Sequence, residues 1–257
     1  MRDGAGRVEM ASQPIIKLLT ASGTGSRRQM TAAIKRGAVA VNGEPVQSFN
    51  HPVDPATDVV TIDGKPVSLA VERAVYVMLN KPAGVISSTS DQRGGTTVID
   101  ILPEKYRRLR LYPVGRLDRD STGLVLLTND GDLTLRLTHP RYEQEKEYLV
   151  HTGQSLRPED RQKLERGIDL DDGRTSPAAV KPVREPPLTY SVTIHEGRKR
   201  QVRRMFAALG YRVLELKRIR IGSLKLGKLP EGHSRELTRR EVEALRQSRL
   251  QEDKSKP

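Results

Sequence analysis

The sequence predicts an α+β protein with a small N-terminal α/β module over residues 14–70 and a larger domain over residues 73–245. Three observations carry that reading. Two short amphipathic helix patterns and two hairpin signals crowd into the first seventy residues. From Ala74 onward, strand and helix patterns alternate without a regular βαβ rhythm. A chain of 257 residues, 35% of them hydrophobic, is long enough for one or two modest cores.

Residues 1 to about 12 are expected to be a disordered lead. Ile15-Ile16-Lys17-Leu18-Leu19 begins a helix that should end at Ser22-Gly23. Ser26 with Gln29 three residues on fits a capping box, so a second helix should start there, bury Met30, Ala33 and Ile34, and stop at Gly37. Asn42-Gly43 and Asp63-Gly64 each follow or close a β-branched run and predict hairpin turns. In the larger domain a buried strand at 76–79 should stop at Asn80-Lys81-Pro82-Ala83-Gly84. Further strands are expected at 111–114, 124–128, 146–150, 189–194 and 212–217, and helices at 130–137, 158–167, 199–209 and 238–247. The polar tail at 251–257 is expected to be disordered.

The formal net charge of +13 attracts polyanions, and nucleic acid is the foremost of these in a cytosol. Residues 1–72 hold 8 Lys/Arg and 7 Asp/Glu, so almost all of the surplus lies in the larger domain. No run of about 18 apolar residues occurs, so no membrane span is expected. The opening MRDGAGRVEMASQP sets acids beside bases without an apolar stretch, unlike a secretory signal, and a cytoplasmic location is the default. Cysteine is absent, which removes disulfides, thiolate metal sites and any thiol nucleophile. The five histidines show no i, i+4 pair, and no metal site is expected.

The densest chemistry is Gly115-Arg116-Leu117-Asp118-Arg119-Asp120-Ser121-Thr122-Gly123, a charged loop leading into the apolar run Leu124-Val125-Leu126-Leu127 and Thr128-Asn129-Asp130-Gly131. A carboxylate beside arginine favours its ionised form and suits a nucleophile or base; an ordinary salt-bridged turn would look the same. A second cluster, residues 198–220, carries nine Lys/Arg against Glu215 alone. A solvated face would normally mix signs, so RNA contact by Lys199, Arg200, Arg203 and Arg204 is expected there. Arg27, Arg28, Lys35 and Arg36 on the second helix read either as a solvated face or as phosphate contacts.

The loop motif resembles the signature of the pseudouridine synthases, in the branch that modifies ribosomal RNA and carries an S4 RNA-binding module. The resemblance runs from about residue 14 to 240. Residues 14–68 look like the S4 module, with Gln13-Pro14 standing where its first helix usually carries arginine and lysine. Lys81-Pro82-Ala83-Gly84, Lys146-Glu147-Tyr148, residues 196–205 and residues 216–222 look like the family's other motifs. The resemblance implies a mixed, mainly antiparallel sheet and isomerisation of uridine to pseudouridine. It implies Asp118 as the catalytic aspartate that attacks the uracil base or C1′ of its sugar, and Tyr148 as the tyrosine that stacks on the base and removes the C5 proton. It also implies Arg198 as the basic partner of Asp118, Leu216 as an apolar neighbour of the tyrosine, and Arg116 as a residue that fills space or contacts the flipped nucleotide. Asp120 is off the matched position and reads as structural.

The chemistry agrees with these roles. A base must leave its stack before its glycosidic bond can be reached. No redox change or group transfer occurs, so no cofactor is implied, and Gly23-Thr24-Gly25 lacks the strand a nucleotide fingerprint needs. Uridine C5-methylation commonly uses a cysteine nucleophile, and here there is none. The competing readings are a non-catalytic RNA-binding or ribosome-assembly factor on the same scaffold and an aspartate-nucleophile hydrolase, which lacks a metal or phosphate loop. Thr138-His139-Pro140-Arg141 and Glu196-Gly197-Arg198 look closer to the large-subunit enzymes, pointing to 23S rRNA. A monomer is expected, since no self-complementary apolar patch is evident.

Overall fold

In the computed structural model, which describes residues 12–183 and 188–247, the chain divides into two compact units, Met1–Ala74 and Val75–Pro257. The expected polar tail, and the expected lead apart from Ser12, lie outside the described residues.

The first unit runs β1 (Gln13–Pro14), α1 (Ile15–Ala21), α2 (Arg27–Lys35), β2 (Val39–Val41), β3 (Glu44–Pro45), β4 (Pro52–Val53), β5 (Val60–Ile62) and β6 (Lys65–Pro66). The capping box at α2 forms as expected. The Ser26 hydroxyl accepts the Gln29 amide at 3.3 Å, and the Gln29 side chain accepts the Ser26 amide at 2.9 Å. Met30, Ala33 and Ile34 are buried against Ile15, Leu18 and Leu19. Both hairpin turns put two residues at positive φ, Asn42 and Gly43 (52° and 90°) and Asp63 and Gly64 (49° and 74°), as a two-residue type I′ turn demands. The turns fold an antiparallel sheet of order β3-β2-β5-β6.

The second unit contains β7 (Tyr76–Lys81), α3 (Glu104–Arg107), β8 (Tyr112–Pro113), β9 (Thr122–Thr128), α4 (Gly131–Thr138), β10 (Lys146–Thr152), α5 (Pro158–Arg166), β11 (Asp169–Leu170), β12 (Gly173–Arg174), β13 (Ala179–Pro182), β14 (Thr189–Ile194), α6 (Gln201–Ala207), β15 (Val213–Ile221), β16 (Leu224–Lys225), β17 (Ser234–Glu236) and α7 (Arg239–Gln247). Its main sheet has the order β13-β14-β10-β15-β9-β7-β17, with β16 on β15 and β8 on β9. Within it only β9 and β15 pair in parallel, so the sheet is mixed and mainly antiparallel as expected. Alternate residues of the central strands feed two cores, as the pleat requires. Val77, Leu79, Val125 and Leu127 pack with Val202, Met205 and Phe206 of α6. Met78, Leu124 and Leu126 pack with Leu133 and Leu137 of α4 and Leu245 of α7.

Two expectations about elements are corrected. β7 runs on through Asn80 and Lys81 because both are buried; the Asn80 amide bonds to the His233 carbonyl at 3.0 Å, extending the pairing with β17. The helix expected from residue 199 starts at Gln201, because Arg200 has a left-handed backbone (φ 50°). The short elements α3, β11 to β13, β16 and β17 gave no periodic signal in two to four residues.

Candidate active site

The loop between β8 and β9 is held in place by buried polar groups beneath it. The Ser87 hydroxyl donates to the Leu117 carbonyl at 3.0 Å and accepts the Leu117 amide at 3.1 Å. Lys81 is fully buried, and its ammonium donates to the carbonyls of Pro82, Val85 and Arg119 at 2.8, 2.8 and 3.3 Å. Burial pulls this lysine down to about 8, against the opposing pull of Asp120 and Asp118. The Arg119 side chain returns the tie by donating to the Gly84 carbonyl at 3.0 Å. The turn at residues 81–84 and the loop at 115–121 therefore brace each other, and Asp118 sits on the braced loop with 33% of its side chain exposed.

Asp118 opens into a cleft of about 1120 Å³ that also collects Arg116, Tyr148, Arg198, Lys199, Arg200, Leu216 and Arg218. One wall of it is the face shared by β10 and β15. Tyr148 stands opposite Arg218, Val150 opposite Leu216 and Lys146 opposite Ile221. A register shift between Glu147 and Tyr148 skips Ile219, so parity changes there and Leu216, Arg218 and Ile221 share one side. Tyr148 and Leu216 are 8% and 6% exposed, which leaves an aromatic and an aliphatic surface side by side. The Tyr148 hydroxyl makes no hydrogen bond with the described residues.

Two cations in this wall were not assigned from sequence. Arg218 is 2% exposed. Its Nε donates to the Leu124 carbonyl at 2.8 Å and its Nη1 to the Arg116 carbonyl at 3.4 Å. Lys146 donates to the Gln144 carbonyl at 3.0 Å, and burial, then the charge of Arg218, pulls it down to about 8. The period-two spacing Lys146-x-Tyr148 and Leu216-x-Arg218 was the available signal, since alternate strand residues share a face.

The arginine expected beside Asp118 is not Arg198. The Arg198 guanidinium is occupied by Glu196 at 3.3 Å, Asp172 at 3.3 Å and the carbonyls of Gly173 and Arg174, at 2.7 and 2.5 Å. It staples the β11–β12 turn to the loop before α6. Arg200 comes nearest instead, with its Nη1 4.0 Å from Asp118 Oδ2, and it grips Asp120 with both terminal nitrogens at 3.1 Å. The left-handed backbone of Arg200 is a strained conformation for a non-glycine residue and sets the direction of this arm. Arg203 adds an ion pair to Asp120 at 3.4 Å. Burial raises the Asp120 carboxyl, but Arg200 and Arg203 outweigh it and leave it below its ordinary value. The structural reading of Asp120 matches this geometry.

The basic cluster is less free than its sequence suggests. Arg204 pairs with Asp171 and Asp172, Arg220 with Glu145 and Glu147 at 3.0 and 2.7 Å, and Arg198, Arg200 and Arg203 as described. The acids that mix the signs come from other segments of the chain, which a count along 198–220 misses. Lys199, Arg212 and Lys217 form no ion pair with the described residues. In the first unit Arg27, Arg28, Lys35 and Arg36 are all exposed on α2, and of these Arg36 is tied to Asp63 at 2.5 Å. Among the described residues, no group of three or more His, Asp or Glu side chains could hold a metal ion, and no helix is long and apolar enough to cross a membrane.

Comparison with known proteins gives concordant results. The family model for RNA pseudouridylate synthase matches residues 75–208, and that for the S4 domain matches residues 13–60. The ribosomal large subunit pseudouridine synthase B of Bacillus subtilis is 42% identical over 90% of this chain and 94% of its own length. The protein of the same name from Vibrio cholerae is 38% identical over 92% of this chain and 75% of its own. A solved structure described as a pseudouridylate synthase is 35% identical, with a TM-score of 0.66, and covers 91% of this chain and 100% of its own.

Proposed function

The chain belongs to the RNA pseudouridine synthase family, and from that membership we propose that it isomerises one uridine of large-subunit ribosomal RNA through Asp118. The observation that carries the proposal is a carboxylate on a rigid loop, one third exposed, in the same cleft as a buried tyrosine face. The target base leaves its stack and enters the cleft against Tyr148 and Leu216. Asp118 attacks the uracil ring or C1′. The N1–C1′ bond breaks, the base turns, C5 bonds to C1′, the C5 proton leaves and N1 gains one. Atoms and electrons balance within the nucleotide, so no cofactor is invoked. Tyr148 is suited to stacking and, through its unbonded hydroxyl, to taking the C5 proton. Arg200 supplies positive charge beside Asp118. Arg116 is exposed at the cleft and can fill the place of the flipped base.

The names of the Bacillus subtilis and Vibrio cholerae relatives support the large subunit as the target. A cytoplasmic monomer with RNA contacts from α2 and the start of α6 completes the proposal. The test is pseudouridine mapping by carbodiimide primer extension on unmodified rRNA, incubated with the chain or with Asp118→Asn. A single stop produced only by the wild type is expected and names the uridine. No stop on either free rRNA or assembly intermediates would replace the proposal with a non-catalytic RNA binder.

A further inference from the structure

Lys146 and Arg218 present an arrangement that the isomerisation roles above leave unused. Both line the catalytic cleft on the wall that carries Tyr148. Neither forms an ion pair with any described carboxylate, whereas most arginines around the cleft do. Arg218 is 2% exposed and spends two nitrogens on main-chain carbonyls, yet its Nη2 is buried with no hydrogen-bond partner among the described residues. The Lys146 ammonium has one carbonyl partner out of three donors it could satisfy. Buried donors without partners are costly, and charged ones more so. Like charges placed together in a desolvated wall add to that cost.

Such a pair is stabilised by a full negative charge. Among the groups of an RNA substrate, uracil and ribose are neutral in the ground state, and only the phosphodiester carries that charge. We propose that Lys146 and Arg218 form a phosphodiester-binding subsite inside the cleft, holding the backbone phosphate next to the target uridine while its base lies on Tyr148. The inference rests on the uridine-isomerisation reading above. The subsite fixes the flipped nucleotide by its backbone at the wall that also carries its base. It contributes affinity through charge-assisted bonds in a water-poor setting and no base specificity.

The test uses a stem-loop carrying the mapped uridine, prepared with ordinary linkages or with a neutral methylphosphonate on the 5′ or the 3′ side of that uridine. Dissociation constants are measured for the wild type, Lys146→Met and Arg218→Gln, and isomerisation of the ordinary stem-loop by the wild type is followed alongside. One methylphosphonate position should weaken wild-type binding by about tenfold, and the same replacement should cost Lys146→Met less than about twofold. Arg218→Gln should behave likewise; Lys146→Met decides the matter if loss of the Arg218 main-chain ties unfolds that variant. Equal losses in wild type and Lys146→Met would overturn the subsite. So would wild-type affinity in Lys146→Met combined with slower single turnover, which would assign the cations to charge developing on the uracil. Failure of the wild type to isomerise the stem-loop would refute the catalytic reading separately.

Discussion

Asp118 and Asp120 stand two residues apart and differ in what neutralises them. Asp120 is gripped by Arg200 and approached by Arg203, while Asp118 has one guanidinium at 4.0 Å. Asp118→Asn should therefore lower single-turnover isomerisation by at least about a thousandfold with RNA affinity within about twofold of wild type. Asp120→Asn should lose no more than about 1 kcal/mol of stability, the worth of a half-exposed pair. Stopped-time turnover and thermal unfolding of both variants check the contrast, and comparable activity in the two would remove Asp118 from its role. Lys146 makes a prediction of opposite sign for stability. Its folded-state pKa of about 8 lies below the ordinary 10.5, so between those values the unfolded chain holds a proton that the folded chain has released. Stability from this group then rises with pH across that window, and the penalty is full below pH 8. Lys146→Met should be more stable than wild type at pH 7, by on the order of 1 kcal/mol after screening, and the gap should shrink by pH 10. A gap unchanged with pH would show a solvated lysine. At this scale the gathering of Asp118, Tyr148 and Leu216 in one cleft was legible because a motif names them. Lys81 and Arg218 were not, because a lone lysine or arginine in sequence reads as surface, and nothing local reveals the main-chain carbonyls that receive it. The expectation for Arg198 failed for the same reason: its partners, Asp172 and the β11–β12 carbonyls, come from a turn some 25 residues away that only the fold brings near.

Elements position these residues through close approaches that particular glycines allow. Gly123 has φ +103°, and a Cβ there would lie 2.2 Å from the Arg218 carbonyl oxygen. It stands opposite Arg218 in the parallel pairing of β9 with β15. That contact joins the strand following Asp118 to the strand bearing Leu216 and Arg218. Gly123→Ala should cost about 3 kcal/mol or more from the clash and the left-handed backbone, and turnover should fall further than fold loss alone explains as the two strands part. Urea unfolding beside single-turnover rates measures both; stability within 0.5 kcal/mol of wild type would mean that the strands separate freely. In the first unit, Ser26→Ala removes half of the α2 capping box and should cost about 1 kcal/mol, read as earlier melting of that unit. These start and turn signals were legible because each is local: Ser26 with Gln29, Asn42 with Gly43, Asp63 with Gly64. The early stop expected for β7 shows the limit, since Asn80 and Lys81 are polar residues made strand-like by partners at 229–233 and by the loop at 115–121.

At the level of the whole chain, charge and chemistry are divided unequally between the two units. The net charge of residues 1–72 is +1, yet α2 exposes Arg27, Arg28 and Lys35 without ion pairs to the described residues. Net charge therefore understates what this unit offers to phosphates, just as the count over 198–220 overstates what α6 offers. The second unit contains the complete cleft and two cores of its own. A chain beginning at Val75 should fold, and at saturating RNA it should keep single-turnover isomerisation within about tenfold while binding more weakly. Each cation that meets a single-strand phosphate contributes about 0.7 to the slope of log affinity against log salt. Three free cations on α2 thus predict a slope shallower by about 2 in the truncated chain. Titrations of the stem-loop at several salt concentrations provide the slopes. An unchanged slope with weaker binding would mean that the first unit acts through apolar or hydrogen-bonding contacts, and an inactive but folded Val75 chain would mean that the cleft is complete only when both units are present.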